Sequence, residues 1–147
     1  SVESGILCAS GFVAGEGLLM APTIAVSKLL DRTGLKLQDF DFYEIHEAFA
    51  AQVLSTLAAW EDPAYCKTRL GKDQPLGAID RTKKNVKGSS LAFGHPFGAT
   101  GARITGVLAK LLAENGGRGL ISICTAGGMG VAAILESRQV AEARSAA

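Results

Sequence analysis

The side chains best suited to catalysis are two histidines, His46 and His95, and one cysteine, Cys124. These are the only two histidines in the chain, and all three residues stand where a predicted strand ends. Neutral imidazole can polarise a carbonyl or relay a proton near pH 7, and a neighbouring imidazole or group of amides can raise the thiolate character of a cysteine. We expect one site for proton transfer if the fold brings the three to the same sheet edge.

The segment around Cys124 contains features of an anion-binding loop. Residues 120–124 are apolar and rich in β-branched side chains, and Gly127, Gly128 and Gly130 follow. Glycines can adopt positive φ angles and turn their backbone N–H groups toward a bound group, so an oxyanion site beside the thiol is expected. The alternative is a small buried cysteine followed by a tight hairpin into residues 131–136.

Hydrophobic periodicity predicts the element order β-α-β-α-β-α-β-β. Strands that alternate with helices of this length favour an α/β fold with a mixed, mostly parallel sheet and helices packed on it. In such sheets the ligand crevice lies at the strand ends. The predicted strands cover about 5–14, 39–45, 85–93, 120–124 and 131–136, and the predicted helices about 20–33, 46–60 and 98–114.

The predicted domain covers residues 1–136, with a polar surface insertion at about 61–84 and a C-terminal tail at 137–147. Three apolar helical faces define the expected core. Arg103 is assigned to the polar face of the third helix, and Gly34 is expected to end the first. The apolar faces comprise Ala25, Val26, Leu29 and Leu30, then Phe49, Val53, Leu54 and Leu57, then Ile104, Val107, Leu108, Leu111 and Leu112.

Composition excludes several classes of function. Fifteen basic and 14 acidic residues give a net charge of +1 without long runs, which argues against nucleic acid or an anionic membrane surface as partner. Apolar stretches too short for a membrane span and the lack of a signal-peptide pattern predict a soluble cytoplasmic protein. The three cysteines, Cys8, Cys66 and Cys124, lack the spacing of a disulfide framework or zinc site, so no metal is expected.

Three motifs together resemble those of the thiolases, the acetyl-CoA acyltransferases, in their C-terminal half. They are His-Glu-Ala-Phe-Ala at 46–50, Gly-His-Pro-Phe-Gly-Ala-Thr-Gly at 94–101 and Cys-Thr-Ala-Gly-Gly-Met-Gly at 124–130. The resemblance also includes residues 17–22. His46, in place of the asparagine of most thiolases, and the segment 61–77 look like the branch related to the trifunctional-complex β-subunit, which acts on fatty acyl chains in β-oxidation.

The resemblance implies a role for each matching residue. Cys124 would be the acid/base, taking a proton from the thiol of coenzyme A or from the methyl group of acetyl-CoA. His95 would donate to the thioester carbonyl oxygen, and His46 would hold a water or donate in the same oxyanion hole. The backbone N–H of Ala126 would donate in a second oxyanion hole, and the acyl and pantetheine end of the pocket would be lined by Ala48 and Phe49.

The resemblance also implies missing parts. A thiolase consists of two similar halves, and its nucleophilic cysteine and most of its CoA-binding loop lie in the N-terminal half. This chain is therefore expected to bind no cofactor by itself, to need an N-terminal half as partner for acyl-CoA chemistry, and to form homo-oligomers. Cys8 resembles a nucleophile motif, but it precedes His46 by fewer than forty residues and no apolar helix follows Gly11, so a buried strand cysteine is expected.

Two alternatives remain open from the sequence. The rival to a catalytic C-terminal domain is a truncated, catalytically incomplete thiolase unit that acts only in assembly or interaction. A third interpretation is an unrelated cysteine hydrolase that uses Cys124 and His95 with Glu47, which would require a reactive thiolate at neutral pH.

Overall fold

The computed structural model describes residues 7–10 and 19–145, and for 7–10, 144 and 145 it describes the backbone alone. A short π-helical turn covers Cys66–Leu70 and a 3₁₀ turn covers Arg81–Lys83. The strands are β1 (Leu7–Ser10), β2 (Phe42–Ile45), β3 (Arg118–Thr125) and β4 (Met129–Glu136), and the helices are α1 (Ala21–Thr33), α2 (Ala50–Glu61), α3 (Pro63–Tyr65), α4 (Ser90–Phe93), α5 (Thr100–Asn115) and α6 (Arg138–Ser145).

The described strands form one mixed sheet in the order β1-β4-β3-β2. β2 runs parallel to β3, whereas β4 pairs antiparallel with both β3 and β1. The predicted α/β class with a mixed sheet is confirmed. Fewer strand pairs are parallel than expected, because the predicted strand at 85–93 does not form and the antiparallel hairpin of β3 and β4 occupies the centre of the sheet.

The segment predicted as a third strand instead covers the edge of β2, where the Asn85 side chain forms hydrogen bonds with the backbone of β2. Asn85 and Gly88 have φ angles of 50° and 85°, which a continuing strand cannot accommodate. The backbone N–H of Asn85 donates to the Tyr43 carbonyl (2.8 Å), and its side-chain oxygen accepts from the N–H of Ile45 (2.8 Å). Asn85 thus provides the hydrogen bonds that a neighbouring strand would otherwise supply at this edge.

The sheet has a helical layer on each face. On one face α1 and α2 surround the fully buried Trp60, and all four predicted apolar residues of α1 are buried. On the other face α5 packs so closely on β3 that a β-carbon at Gly119 would overlap the side chain of Leu108. Gly34 ends α1 with a left-handed φ of 69°, as predicted.

Other local predictions differ from the structure. Helix α2 begins at Ala50 and not at His46, because Phe49 has an extended backbone (φ −147°), and the side chains of Phe49 and Leu54 are exposed. The segment at 61–84 buries Cys66 and Ile79, so it packs on the core more than a surface insertion would. Most of the predicted C-terminal tail forms α6.

Candidate active site

The structure places His46, His95 and Cys124 around one cavity of about 420 Å³. The cavity lies where β2 and β3 end and α5 begins, which is the sheet edge expected from the sequence. Its wall also includes Ala126, in the turn between β3 and β4. The lining residues are His46, His95, Phe97, Gly98, Thr100, Gly101, Ile123, Cys124, Thr125 and Ala126.

His46 extends β2 by one residue and is held from both its backbone and its ring. Its N–H donates to the Ser122 carbonyl (2.9 Å), and its Nδ1 is 3.0 Å from the hydroxyl of Ser90. Burial, with repulsion of positive charge by His95 and Arg103, lowers the pKa of His46 to about 4. The imidazole is therefore neutral at pH 7, the form that can donate from one nitrogen and accept at the other.

His95 lies in an exposed loop between α4 and α5, where Gly94 and Gly98 have φ angles of 83° and 81°. Its Nδ1 is 2.6 Å from the hydroxyl of Thr100, the first residue of α5. This contact fixes the ring, because Thr100 is itself buried in the helix terminus. The ring centroids of His95 and His46 are 4.3 Å apart, so the two imidazoles act on the same volume.

Cys124 is 6% exposed and lies at the cavity end of β3. Burial raises the pKa of its thiol, and the N–H of Cys124 itself opposes this only in part. The expectation of increased thiolate character is therefore wrong for the free domain, since the resting form at pH 7 is the neutral thiol. A weakly acidic thiol is a strong base once it has lost its proton, which suits a residue that both takes up and returns a proton.

The remaining predicted residues are divided between the cavity and the surface. Ala126 lies in the turn after β3 and lines the cavity, and Gly127 and Gly128 in that turn have φ angles of 82° and 75°. Ala48 and Phe49 are not among the lining residues, and Phe49 is 62% exposed. The structure therefore brings four of the six predicted residues together.

A buried polar group behind His46 was not predicted. Arg103, assigned to the polar face of α5, points inward and donates to the Ser90 hydroxyl (3.1 Å). Its position, three residues after Thr100 and one before Ile104, falls on the buried helical stripe and is a signal that was present in the sequence. Glu44, fully buried in β2, has neither oxygen hydrogen-bonded among the described residues, and burial raises its pKa to about 7.

The geometry does not support a cysteine hydrolase triad with Glu47. Its carboxylate accepts from Asn85 (2.8 Å), from Lys84 (3.3 Å) and from the backbone N–H of Leu91 (3.3 Å). The Nδ1 of His95, which the acidic member of such a triad would orient, is bonded to Thr100 instead. Glu47 connects the end of β2 to the segment that follows Asn85.

Other candidate groups are few in the part of the chain that the structure describes. No cluster of three or more His, Cys, Asp or Glu side chains there could hold a metal ion, and no helix in it has the length and apolarity needed to cross a membrane. Cys66 and Cys124 are free thiols. The Cys8 side chain lies outside the described residues, as do residues 11–18, which include the start of the 17–22 motif.

An α/β domain with two imidazoles and a thiol around one cavity at the strand ends has the side chains that acid/base and nucleophilic catalysis use. Comparison with known proteins identifies the family. The family model for the thiolase C-terminal domain matches residues 6–137, so the chain belongs to the thiolase family and represents its C-terminal domain.

The similar proteins agree with that assignment. A 3-ketoacyl-CoA thiolase from Alteromonas mediterranea is 47% identical over 123 residues, which is 83% of this chain and 28% of that protein. Among solved structures, the acetyl-CoA acetyltransferase of Bacillus anthracis superposes with a TM-score of 0.69 at 34% identity, over 92% of this chain and 30% of that one.

The peroxisomal 3-ketoacyl-CoA thiolase of Saccharomyces cerevisiae superposes with a TM-score of 0.58 at 40% identity, over 81% of this chain and 29% of that one. That protein is described as a five-layered structure built from two core domains of identical topology. The present chain spans less than a third of the length of each of these proteins.

Proposed function

We propose that this chain is the C-terminal catalytic domain of an acetyl-CoA acyltransferase of the 3-ketoacyl-CoA thiolase type, and that it acts in fatty acid β-oxidation. The domain comprises residues 1–136 with the insertion at 61–84 and the tail at 137–147. The observation that carries the proposal is the single cavity shared by His46, His95 and Cys124. The substrates would be acyl-CoA thioesters and coenzyme A, whose main binding elements this domain does not supply.

The two histidines would stabilise the oxygen of a thioester as negative charge develops on it. A preorganised donor beside such an oxygen contributes about 3 kcal/mol to lowering the barrier. His95 is oriented through Nδ1 by Thr100, which leaves Nε2 for the substrate. His46 is neutral and lies against His95, so it can donate directly or through a bound water.

Cys124 would move the proton. In the degradative direction the Cys124 thiol first gives its proton to the carbanion of the departing acetyl-CoA, and the thiolate that remains takes the proton from the thiol of coenzyme A, whose sulfur then attacks the acyl-enzyme carbonyl. In the condensing direction the thiol gives its proton to the departing coenzyme A, and the thiolate then takes a proton from the methyl group of acetyl-CoA. Because burial raises the pKa of the Cys124 thiol, its thiolate is a stronger base than an ordinary thiolate and readily takes the proton from the thiol of coenzyme A. The Ala126 N–H would donate in a second oxyanion hole.

The acyl-accepting nucleophile would come from an N-terminal thiolase half. Large apolar side chains near the cavity are exposed, including Phe97 at 92%, Phe93 at 63% and Leu91 at 61%. Monomeric proteins rarely expose such a group of side chains without a partner. We place the N-terminal half on this surface, with Phe49 and Ala48 near the acyl end of the completed pocket.

The finer assignments belong to the same proposal. His46 and the segment at 61–77 favour the branch related to the trifunctional-complex β-subunit, and we expect a homo-oligomer in the cytoplasm. No metal or resident cofactor is part of the mechanism, since every step above uses side chains or backbone N–H groups of the protein and the thiol of the substrate.

Reconstitution tests the proposal. The chain alone should not cleave 3-ketoacyl-CoA, and thiolysis should appear when an N-terminal thiolase half is added. Cys124→Ala and His95→Ala should each abolish the reconstituted activity, whereas Ser55→Ala on the exposed face of α2 should not. Activity that survives both site variants would refute the assigned roles, and binding of the N-terminal half without thiolysis would identify an assembly unit instead.

A further inference from the structure

The hydroxyl of Ser90 lies between the His46 ring and a buried guanidinium. Ser90 Oγ is 3.0 Å from Nδ1 of His46 and 3.1 Å from Nη2 of Arg103. Ser90 is 5% exposed and His46 is 2% exposed, so water does not compete for these contacts. Neither Ser90 nor Arg103 lines the cavity, and both therefore act on it only through His46.

Counting donors and acceptors decides the direction of the two bonds. Arg103 can only donate, so it uses one lone pair of Ser90 Oγ. The hydroxyl proton then needs an acceptor, and no third partner of Ser90 Oγ is found among the described residues. If His46 donated from Nδ1 to Ser90, the hydroxyl proton of Ser90 would be buried without an acceptor, which costs about 1–3 kcal/mol. Of the two directions, only donation from Ser90 to Nδ1 gives the hydroxyl proton an acceptor.

The protonation state of His46 completes the argument. The ring is neutral at pH 7, so it carries one proton. An Nδ1 that accepts from Ser90 leaves that proton on Nε2, the nitrogen on the opposite side of the ring, which has no hydrogen-bond partner among the described residues. The cavity then receives an N–H donor from His46 and not a lone pair.

Arg103 contacts an aromatic ring in addition to Ser90. Its Nε and Nη1 atoms are buried without a hydrogen-bond partner among the described residues, and its guanidinium carbon lies 5.9 Å from the centre of the Phe93 ring. The positive charge of Arg103 lowers the pKa of the buried Glu44 carboxyl group against the larger effect of burial, and no hydrogen bond joins the two side chains. The guanidinium therefore lies between the Ser90 hydroxyl and the Phe93 ring.

We propose that Arg103 and Ser90 are positioning residues that hold His46 in the Nε2–H tautomer, so that His46 presents a hydrogen-bond donor to the cavity. Arg103 engages the lone pair of Ser90 and turns its hydroxyl proton toward Nδ1. The importance of this donor for catalysis rests on the proposed function, but the tautomer itself does not.

The first test is ¹⁵N NMR of the histidine side chains in the whole chain. With two histidines in the sequence, a His95→Gln variant assigns both rings. We expect Nε2 of His46 to be protonated and Nδ1 to be an acceptor. Ser90→Ala and Arg103→Met should introduce a detectable Nδ1–H population, Ser90→Thr should keep the original tautomer, and the matched controls Ser55→Ala and Lys110→Met should change nothing.

A proton on Nδ1 of wild-type His46 would overturn the proposal, as would an Arg103→Met variant that folds and keeps the wild-type ring shifts. Backbone amide spectra establish which variants fold. If the Ser90 and Arg103 variants do not fold, the tautomer of His46 in the wild-type protein alone tests the proposal. In the reconstituted enzyme, Ser90→Ala should lower kcat about tenfold with little change in KM. Failure of thiolysis in wild type would refute the proposed function and leave the tautomer result intact.

Discussion

Replacing Glu44 by glutamine should make this domain more stable, and the gain should depend on pH. Glu44 is fully buried in β2 and neither of its oxygens is hydrogen-bonded among the described residues. Burial raises the pKa of its carboxyl group from 4.5 to about 7, and the Arg103 charge opposes this only in part. An ionised Glu44 is therefore a cost to the folded state.

The direction and size of the pH effect on stability follow from the pKa of Glu44 in the unfolded chain, 4.5, and in the folded chain, about 7. Below pH 4.5 the carboxyl is protonated in both the folded and the unfolded chain, and its titration costs nothing. Above that pH the unfolded chain ionises first, so stability is lost as the pH rises toward 7. The complete loss is about 3 kcal/mol at 1.36 kcal/mol per pKa unit, of which about 2.5 kcal/mol develops between pH 5 and pH 8.

Urea unfolding followed by circular dichroism at pH 5 and pH 8 measures this difference. Glu44→Gln removes the ionisable group but keeps the shape, so its stability relative to wild type should improve by about 2–3 kcal/mol between the two pH values. Comparing the two proteins at each pH cancels the titration of every other group. Glu114→Gln, an exposed change on α5, is the control and should show no such improvement.

The same relative stability of Glu44→Gln at both pH values would refute the reasoning. It would mean that the carboxylate is compensated in the folded state, most simply by an ion pair with Arg103 that is closer than the structure shows. A stability gain of Glu44→Gln that appears at pH 5 and disappears at pH 8 would be opposite to the expected pH dependence. It would exclude burial of the carboxylate as the cause.

Three further perturbations follow from the same structure. Gly130→Ala should cost about 3 kcal/mol or more in unfolding free energy, because its β-carbon would lie 2.5 Å from the Ala21 backbone, whereas Gly127→Ala should cost about 1–2 kcal/mol for its φ of 82° alone. The lowered pKa of His46 should remove about 3 kcal/mol of stability as the pH falls from 6.5 toward 4, a loss that His46→Gln abolishes in urea titrations. Asn85→Ala should cost about 2–4 kcal/mol in thermal or urea unfolding, because both side-chain bonds to Ile45 are lost.

The strand predicted at 85–93, which does not form, shows what could not be predicted from the sequence. Residues 85–93 have a composition compatible with a strand. The decisive feature is that the Asn85 side chain can replace a backbone partner at the edge of β2, a possibility that depends on where that edge lies in space. Local propensity cannot contain this information, because it depends on a contact across 40 residues.

The sequence by itself determined the α/β class, the buried faces of α1 and α5, and the order of the motifs that carry His46, His95 and Cys124. These properties follow from periodicity and from residue types at strand ends, both of which are local. The tertiary structure alone decided that Glu44 is buried, that Arg103 turns inward to Ser90 behind His46, that the Cys124 thiol is protonated at rest, and that Phe49 faces solvent. Desolvation and hydrogen-bond geometry are set by neighbours distant in the chain, so these electrostatic properties exist only once the sheet and its helices have assembled.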